Sequence, residues 1–338
     1  MTNPTPDSSA LTRASSVSRL GAPLFFLSIK SAAMFTQEYP TRPVRMIEPF
    51  GVGGGVDVIA RILSPRLSEM WGQPVTVENH PGAGSTEAPA LVAKSPADGY
   101  TLLVNTSAQA YSAAFVNNLP YDPLKDFIPV APLTSQPYVL IACKSSGITT
   151  IGELIAKAKA KPGQLTFGST GVGSGSYVGV EKFNLEAGIK GLHVPPDPSD
   201  AITDVIASTV AGRTAYMIAP IPLALADIRA GKLYALGVTT KKRSSLLPEV
   251  PTIAEGGVPG FDYPIWYGIW VRSGTPAAVV EKLGKDIARA LAVPELRDQL
   301  AKHGADPMSM TQPEFAHFVL RESESAARIM KAAGIKPQ

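Results

Sequence analysis

Two glycine-rich stretches hold the residues of this sequence that could bind a ligand or act on one. The first, Val44-Arg-Met-Ile-Glu-Pro-Phe-Gly-Val-Gly-Gly-Gly-Val-Asp-Val-Ile-Ala-Arg61, is an apolar run, then a turn, then the start of an amphipathic helix. Four of the residues from 51 to 55 are glycines, so the backbone there can reach positive φ and approach a ligand with no Cβ in the way. A strand entering such a turn and a helix leaving it gather unpaired N–H groups and the positive end of the helix dipole at one point. That point favours an anion. The second stretch, Gly168-Ser-Thr-Gly-Val-Gly-Ser-Gly-Ser176, repeats the arrangement and adds hydroxyls.

Other chemistries fit these residues less well. Gly51-Val-Gly53 after a strand, with Glu78 closing the next one, imitates the fingerprint of a dinucleotide-binding Rossmann enzyme. The place of its third glycine is taken by Val56, and a side chain there prevents the close helix–strand packing the glycine serves. Ser169, Ser174 and Ser176 lack the flanking glycines of a nucleophile elbow, and their spacing suits hydrogen bonding to an anion. No Gly-Lys-Ser or Gly-Lys-Thr occurs, which argues against nucleoside triphosphates. Nothing in the sequence brings Asp57, Asp197, Asp200 and Asp204 together as acid–base pairs. The single cysteine, Cys143, and the scattered His80, His193, His303 and His317 have no metal-ligand spacing. No cofactor, no metal and no catalytic group is expected.

The elements that must position the two turns alternate. Val44–Phe50, Pro74–Glu78 and Thr101–Thr106 read as strands, with helices over 56–71 and 85–93 between them. Val139–Cys143 is a short apolar strand, and Thr150 with Glu153 forms a capping box for a helix running to Lys161. A second set follows: a strand at 165–167, a helix at 177–187, a strand at 191–194, and a helix at 199–211 with Ser199 as its cap. It closes with a strand at 216–218, a helix at 223–229 and a strand at 234–238. Trp266–Val271 is a last strand, and the remainder is helical, with a second capping box at Thr311 and Glu314. Repeated strand–helix units imply parallel sheets, whose ligands bind beyond the carboxyl ends of the strands. Two glycine turns in two such sets therefore predict two lobes facing across a cleft, a hinged architecture rather than one continuous sheet. The chain crosses between lobes near 137 and near 262, which makes 39–137 plus 262–338 lobe 1 and 138–261 lobe 2.

Composition agrees with a small-molecule binder. The 338 residues are 45% apolar and 17% charged with a net charge of +3, and no long basic run is interleaved with aromatics. Nucleic acid is not the expected partner. Residues 1–38 carry Arg13 and Arg19, then the apolar run Leu20 to Ile29, then Ser31-Ala-Ala33. That order is the layout of a secretory signal, with a disordered N-terminus as the other reading. No stretch approaches the roughly 20 apolar residues of a membrane span.

Many ordered segments resemble the Bug family, which is similar to the extracytoplasmic substrate-binding proteins of tripartite tricarboxylate transporters. They include Tyr39-Pro-Thr-Arg-Pro-Val-Arg45, Pro49-Phe50 with Gly53-Gly54 and Asp57, Val77-Glu-Asn-His-Pro-Gly-Ala-Gly84 and Leu119-Pro-Tyr-Asp-Pro-Leu-Lys-Asp126. Further on come Gly168 to Ser176, Leu247-Pro-Glu-Val-Pro-Thr-Ile-Ala-Glu255 and Trp266-Tyr-Gly268, so the likeness runs from about residue 39 to the C-terminus. The resemblance implies an α/β, two-lobed type II periplasmic-binding-protein fold that closes over an organic acid. It implies a periplasmic monomer that is not an enzyme and that serves the membrane permease subunits of a tripartite transporter. A ligand sensor without a transport role is the alternative.

Carried over by the same resemblance, the ligand contacts are Gly53, Gly54 and Asp57, then Thr106 and Ser107, then Ser169, Gly173, Ser174 and Ser176. Asp57 either receives an amine or hydroxyl of the ligand or orders the glycine turn from the helix. The chain departs from the family pattern where Gly51-Val52 replaces two prolines and Val56 a hydroxyl residue. It departs again at Ala110, Tyr177, His193 to Asp200, Ser208 to Val210 and Ala215. These departures bear on which acid is bound.

Overall fold

The computed structural model describes Met1 and residues 39–82, 86–115, 117–197 and 200–335. The signal-like or disordered start and the cap expected at Ser199 lie outside the described residues. The first set of elements forms as the periodicity predicts: β1 (Val44–Glu48), α1 (Gly55–Trp71), β2 (Val75–Asn79), α2 (Glu87–Lys94) and β3 (Thr101–Thr106). β1 lies between β2 and β3, parallel to both. Every residue of β3 is buried, as a strand covered on both faces requires.

Two elements here go beyond the expectation. α3 (Ala108–Phe115) follows β3 after a single residue, and β4 runs from Phe127 to Cys143, 17 residues where only the last five were expected. Pro129, Pro132 and Pro137 hide the rest of β4, because proline lacks the N–H a ladder uses and reads as a break. The strand absorbs Pro129 and Pro132 by shifting register there against β9 (Pro264–Arg272), its antiparallel neighbour.

The second set consists of α4 (Ile151–Ala160), β5 (Thr166–Gly168), α5 (Gly175–Glu186), β6 (Leu192–Val194) and α6 (Ile202–Val210). β7 (Tyr216–Pro220), α7 (Ile221–Arg229) and β8 (Leu233–Val238) complete it. Thr150 accepts the Glu153 N–H as the capping box predicts (3.1 Å). α6 begins at Ile202 with Ala201 at its cap, and Asp204 receives the Ala201 N–H (2.8 Å). β5 is parallel to β6 and β7.

The chain then returns through β9 and ends in α8 (Ala277–Leu291), α9 (Pro294–Lys302), β10 (Asp306–Pro307) and α10 (Gln312–Ala333). The strand order is β2-β1-β3-β9-β4-β7-β5-β6, with β8 and β10 also on β4. This corrects the expectation of two separate sheets. Up to Pro137, β4 pairs with β9, and from Tyr138 it pairs with β7 and β8. One strand therefore carries the ladder across the junction. α10 packs on α3 and β4 and also on α5, and residues 39–338 form one compact unit.

Candidate ligand-binding site

At the end of β1 the sequence places a carboxylate inside the protein. Glu48 is fully buried, and its Oε2 accepts the Phe50 N–H (2.8 Å). The chain then turns, with Gly53 at φ +82° and the Gly54 N–H on the Gly51 carbonyl (3.1 Å). Val52 stands 78% exposed at the tip. Asp57, in the first turn of α1, reaches back: its Oδ2 accepts the Gly53 N–H (2.9 Å). Its Oδ1 accepts from Arg61 Nε (2.8 Å) and Asn79 Nδ2 (2.9 Å). The same Asn79 nitrogen donates to Glu48, so one side-chain amide joins two buried carboxyls.

The two carboxyls are tuned apart. Burial pushes Glu48 up to about 7, against the pull of the N–H donors of Phe50 and Asn79. Burial also opposes the charge on Asp57, but the donors at Gly53, Asn79 and Arg61 outweigh it and hold that carboxyl below its ordinary range. Arg61 balances Asp57, and burial favours the neutral form of Glu48. The first-turn amides of α1, which have no intrahelical acceptor, thus face a turn with little net negative charge beneath it.

At the end of β3, Thr106 is capped locally. Its N–H goes to Asn105 Oδ1 (2.8 Å), and its own Oγ1 accepts the Ala108 N–H (3.1 Å). Ser107 is fully buried, with the Tyr111 hydroxyl as its side-chain hydrogen-bond neighbour. In the second loop most hydroxyls serve the loop. Ser174 Oγ donates to the Gly171 carbonyl (2.7 Å) and, as the cap of α5, accepts the Tyr177 N–H (3.2 Å). Ser176 Oγ accepts the Thr170 N–H (3.1 Å), and Ser169 Oγ accepts that of Gly171 (3.1 Å). Gly173 sits at φ +88°, a conformation that favours glycine. Ser169 Oγ also lies 2.8 Å from Nε2 of His193, whose ring packs against Phe167 and Tyr177. Burial pushes that imidazole down to about 4, so it is neutral at physiological pH.

The hinge strands bring these parts together through two tyrosines. Tyr267 on β9 stands opposite Thr106 of β3, and its hydroxyl lies 2.6 Å from where a Cβ on Gly55 would be. Tyr138 on β4 holds the matching place in the second lobe: its hydroxyl lies 2.7 Å from where a Cβ on Gly175 would be. Each helix that leaves a glycine turn therefore begins on a glycine pressed against a hinge tyrosine. Ser107 Oγ is 3.8 Å from the same point on Gly175, and the Phe115 and Tyr177 rings meet edge to face (6.2 Å). Ser107 thus adjoins Gly175 of the second loop, Thr106 stands beside Tyr267, and Gly55 at the end of the first turn abuts the same Tyr267, whose hydroxyl donates to Gln136 Oε1 (2.7 Å).

Sequence reasoning missed Glu48, Asn79, Tyr138 and Tyr267. A glutamate closing an otherwise apolar strand was the signal for Glu48, since a charge inside such a run must find partners. For the tyrosines no local signal exists, because their place follows from the pairing of strands far apart in the chain.

A fold of two α/β lobes with glycine turns at the carboxyl ends of parallel strands on both sides defines the two-lobed solute-binding class. Residues 59–335 match the model of the tripartite tricarboxylate transporter family receptor. Protein BugT of Bordetella pertussis is 34% identical over 309 residues, covering 90% of this chain and 94% of the relative. Among solved structures, R. palustris Rpa4515 with adipate superposes with a TM-score of 0.80 at 32% identity, covering 89% of this chain and all of the other. MatC (Rpa3494) from Rhodopseudomonas palustris with bound malate gives 0.76 at 31%, covering 86% and 99%. The chain belongs to this receptor family, as a Bug-type tripartite tricarboxylate receptor with the two-lobed type II fold.

Proposed function

We propose that this protein captures a small organic acid between its lobes and delivers it to the membrane permease subunits of a tripartite transporter, acting as a periplasmic monomer without catalysis. The observation that carries the reading is the pair of helices, α1 and α5, that each begin on a glycine against a hinge tyrosine at the end of a parallel strand. Two N-termini of this kind offer backbone donors to a carboxylate without a buried arginine, which keeps the ligand releasable. Relatives of about 30% identity that hold adipate and malate support the ligand class. Among the described residues no helix is long and apolar enough to cross a membrane, in keeping with a periplasmic receptor.

In this reading the contacts are Gly53, Gly54 and Asp57 from the first turn, Thr106 and Ser107 from β3, and Ser169, Gly173, Ser174 and Ser176 from the second loop. The lobes are 39–137 plus 262–338 and 138–261, moving about the Pro137 and Pro264 pair where β4 and β9 run side by side. Ligand contacts from both lobes favour the closed state because only that state offers both sets. A thermal-shift panel of mono-, di- and tricarboxylates, aromatic acids, amino acids and nicotinamide dinucleotides tests this. A carboxylate is expected to raise the melting temperature by mass action. A shift with a dinucleotide alone would sink the reading.

A further inference from the structure

We propose that this receptor takes up a proton together with its acid, and that the proton is held on Glu48 beneath the first glycine turn. This rests on the functional reading above, in which that turn contacts the ligand, and deepens it by naming the group that couples the two. Glu48 is fully buried at the end of β1 and is tied to the turn by two routes. Its Oε2 accepts the Phe50 N–H (2.8 Å), and Asn79 Nδ2 joins its Oε1 to Asp57, whose Oδ2 accepts the Gly53 N–H (2.9 Å). An acid arriving at the turn adds negative charge above Glu48. Like charges across a buried turn repel, so the bound state favours the protonated carboxyl, and by reciprocity the protonated carboxyl favours the acid. The proton comes from solvent and returns to it when the acid leaves.

The cluster around Glu48 has fewer donors than acceptors. The Asn79 amide nitrogen carries two hydrogens and stands within reach of three oxygens, Glu48 Oε1, Asp57 Oδ1 (2.9 Å) and the Phe50 carbonyl (3.3 Å). A proton on Glu48 removes a charge and supplies the missing donor. Among the described residues no cation stands ready for that charge either. α1 brings Asp57 and Arg61, and Arg61 is committed to Asp57 (2.8 Å) and to Asn79 Oδ1 (3.0 Å). β2 brings Glu78, whose side chain alternates to the other face of the sheet from Asn79 and is gripped by Arg45 (2.8 Å), with His80 Nε2 3.7 Å from it. On α2, Glu87 lies against Gly82, and Lys94 stands at the far end of the helix. β3 carries no charged residue. Burial accordingly pushes Glu48 up to about 7, so its proton exchanges near neutrality.

Calorimetric titration with succinate, malate, glutarate and adipate at pH 6.5, 7.5 and 8.5, each in two buffers of different ionisation enthalpy, reads the proton directly. For a coupling of about 10-fold, wild type is expected to take up about half a proton per acid bound at pH 7.5. Its affinity is expected to fall about 5-fold from pH 6.5 to pH 8.5, a range in which these acids are already largely ionised. Glu48→Gln keeps the shape of the side chain and cannot titrate, so its affinity is expected to be level over that range with no proton taken up. A wild-type binding heat that is the same in both buffers at pH 7.5 overturns the proposal, whether or not the variant folds, and so does proton uptake that persists in Glu48→Gln. A wild type that binds none of these acids at any of the three pH values is a different failure, that of the functional reading, and it takes the coupling with it.

Discussion

Glu48 and Asp57 share one asparagine, yet their environments send them in opposite directions. For Glu48 the folded protein holds a proton to about pH 7, whereas the unfolded chain releases it near 4.5. Its contribution to stability is therefore fully present below about pH 4.5 and is lost as pH rises through 7. The size is on the order of 3 kcal/mol for a shift of this extent, most of it between pH 5 and pH 8. Denaturant unfolding at pH 5 and pH 8 is expected to show wild type losing that much relative to Glu48→Gln, which lacks the titration; parallel profiles would refute the assignment. Asp57 acts through geometry instead. Asp57→Ala frees the Gly53 N–H and releases Asn79 and Arg61, so the turn loosens while the helix behind it stays packed. Loss of a cap-like acceptor costs about 1 kcal/mol of stability. Ligand affinity is expected to fall with the fold intact by circular dichroism, and an unchanged Kd would remove Asp57 from the site.

At the scale of elements, the glycines that open α1 and α5 set how close each helix comes to the hinge. On Gly55 a Cβ would stand 2.6 Å from Tyr267 Oη, and that hydroxyl is tied to Gln136, so it cannot step aside freely. Gly55→Ala is expected to cost about 1–3 kcal/mol by overpacking. Tyr267→Phe should restore part of it, because the next atom is 3.4 Å away. A melting curve for Gly55→Ala that matches wild type would show that α1 can shift without cost. These same elements show what the sequence made legible. β1, α1, β2, α2 and β3 were readable because apolar residues recur with the period of each element, and the two binding loops because glycine clusters announce unusual backbone. The first half of β4 was not, since three prolines in one strand look like a loop until a partner strand shows the register shifts that accommodate them. α3, with Ala108-Gln-Ala-Tyr-Ser-Ala-Ala-Phe115, carries too weak a pattern to separate it from the strand before it. Tyr138 and Tyr267 are ordinary strand aromatics in sequence. Only the pairing of β9 with β3 and of β4 with β7 gives them their place.

For the whole molecule, the unbroken path through β4 decides what kind of closure is possible. Were the lobes joined by loops they could swing widely. Here Pro137 lies opposite Pro264, and beyond that pair β4 changes partners from β9 to β7 and β8, so bending concentrates where neither proline contributes an N–H to the ladder. α10 touches α3, β4 and α5, so a movement of α5 relative to α3 is expected to pass along it. Closure is therefore expected to be a small rotation that tightens the contact of Ser107 with the 175 region rather than a wide clamshell motion. A ligand at 100 times its Kd adds about 2.7 kcal/mol to the stability of the folded state. In a domain of this size that corresponds to a rise of roughly 4 °C in melting temperature. X-ray scattering of the same sample should show a small decrease in radius of gyration, and amides near 137 and 264 should exchange more slowly. A full thermal shift with no change in either would mean that the acid enters a cleft already closed, and that its release depends on the permease opening the lobes rather than on the hinge relaxing unaided.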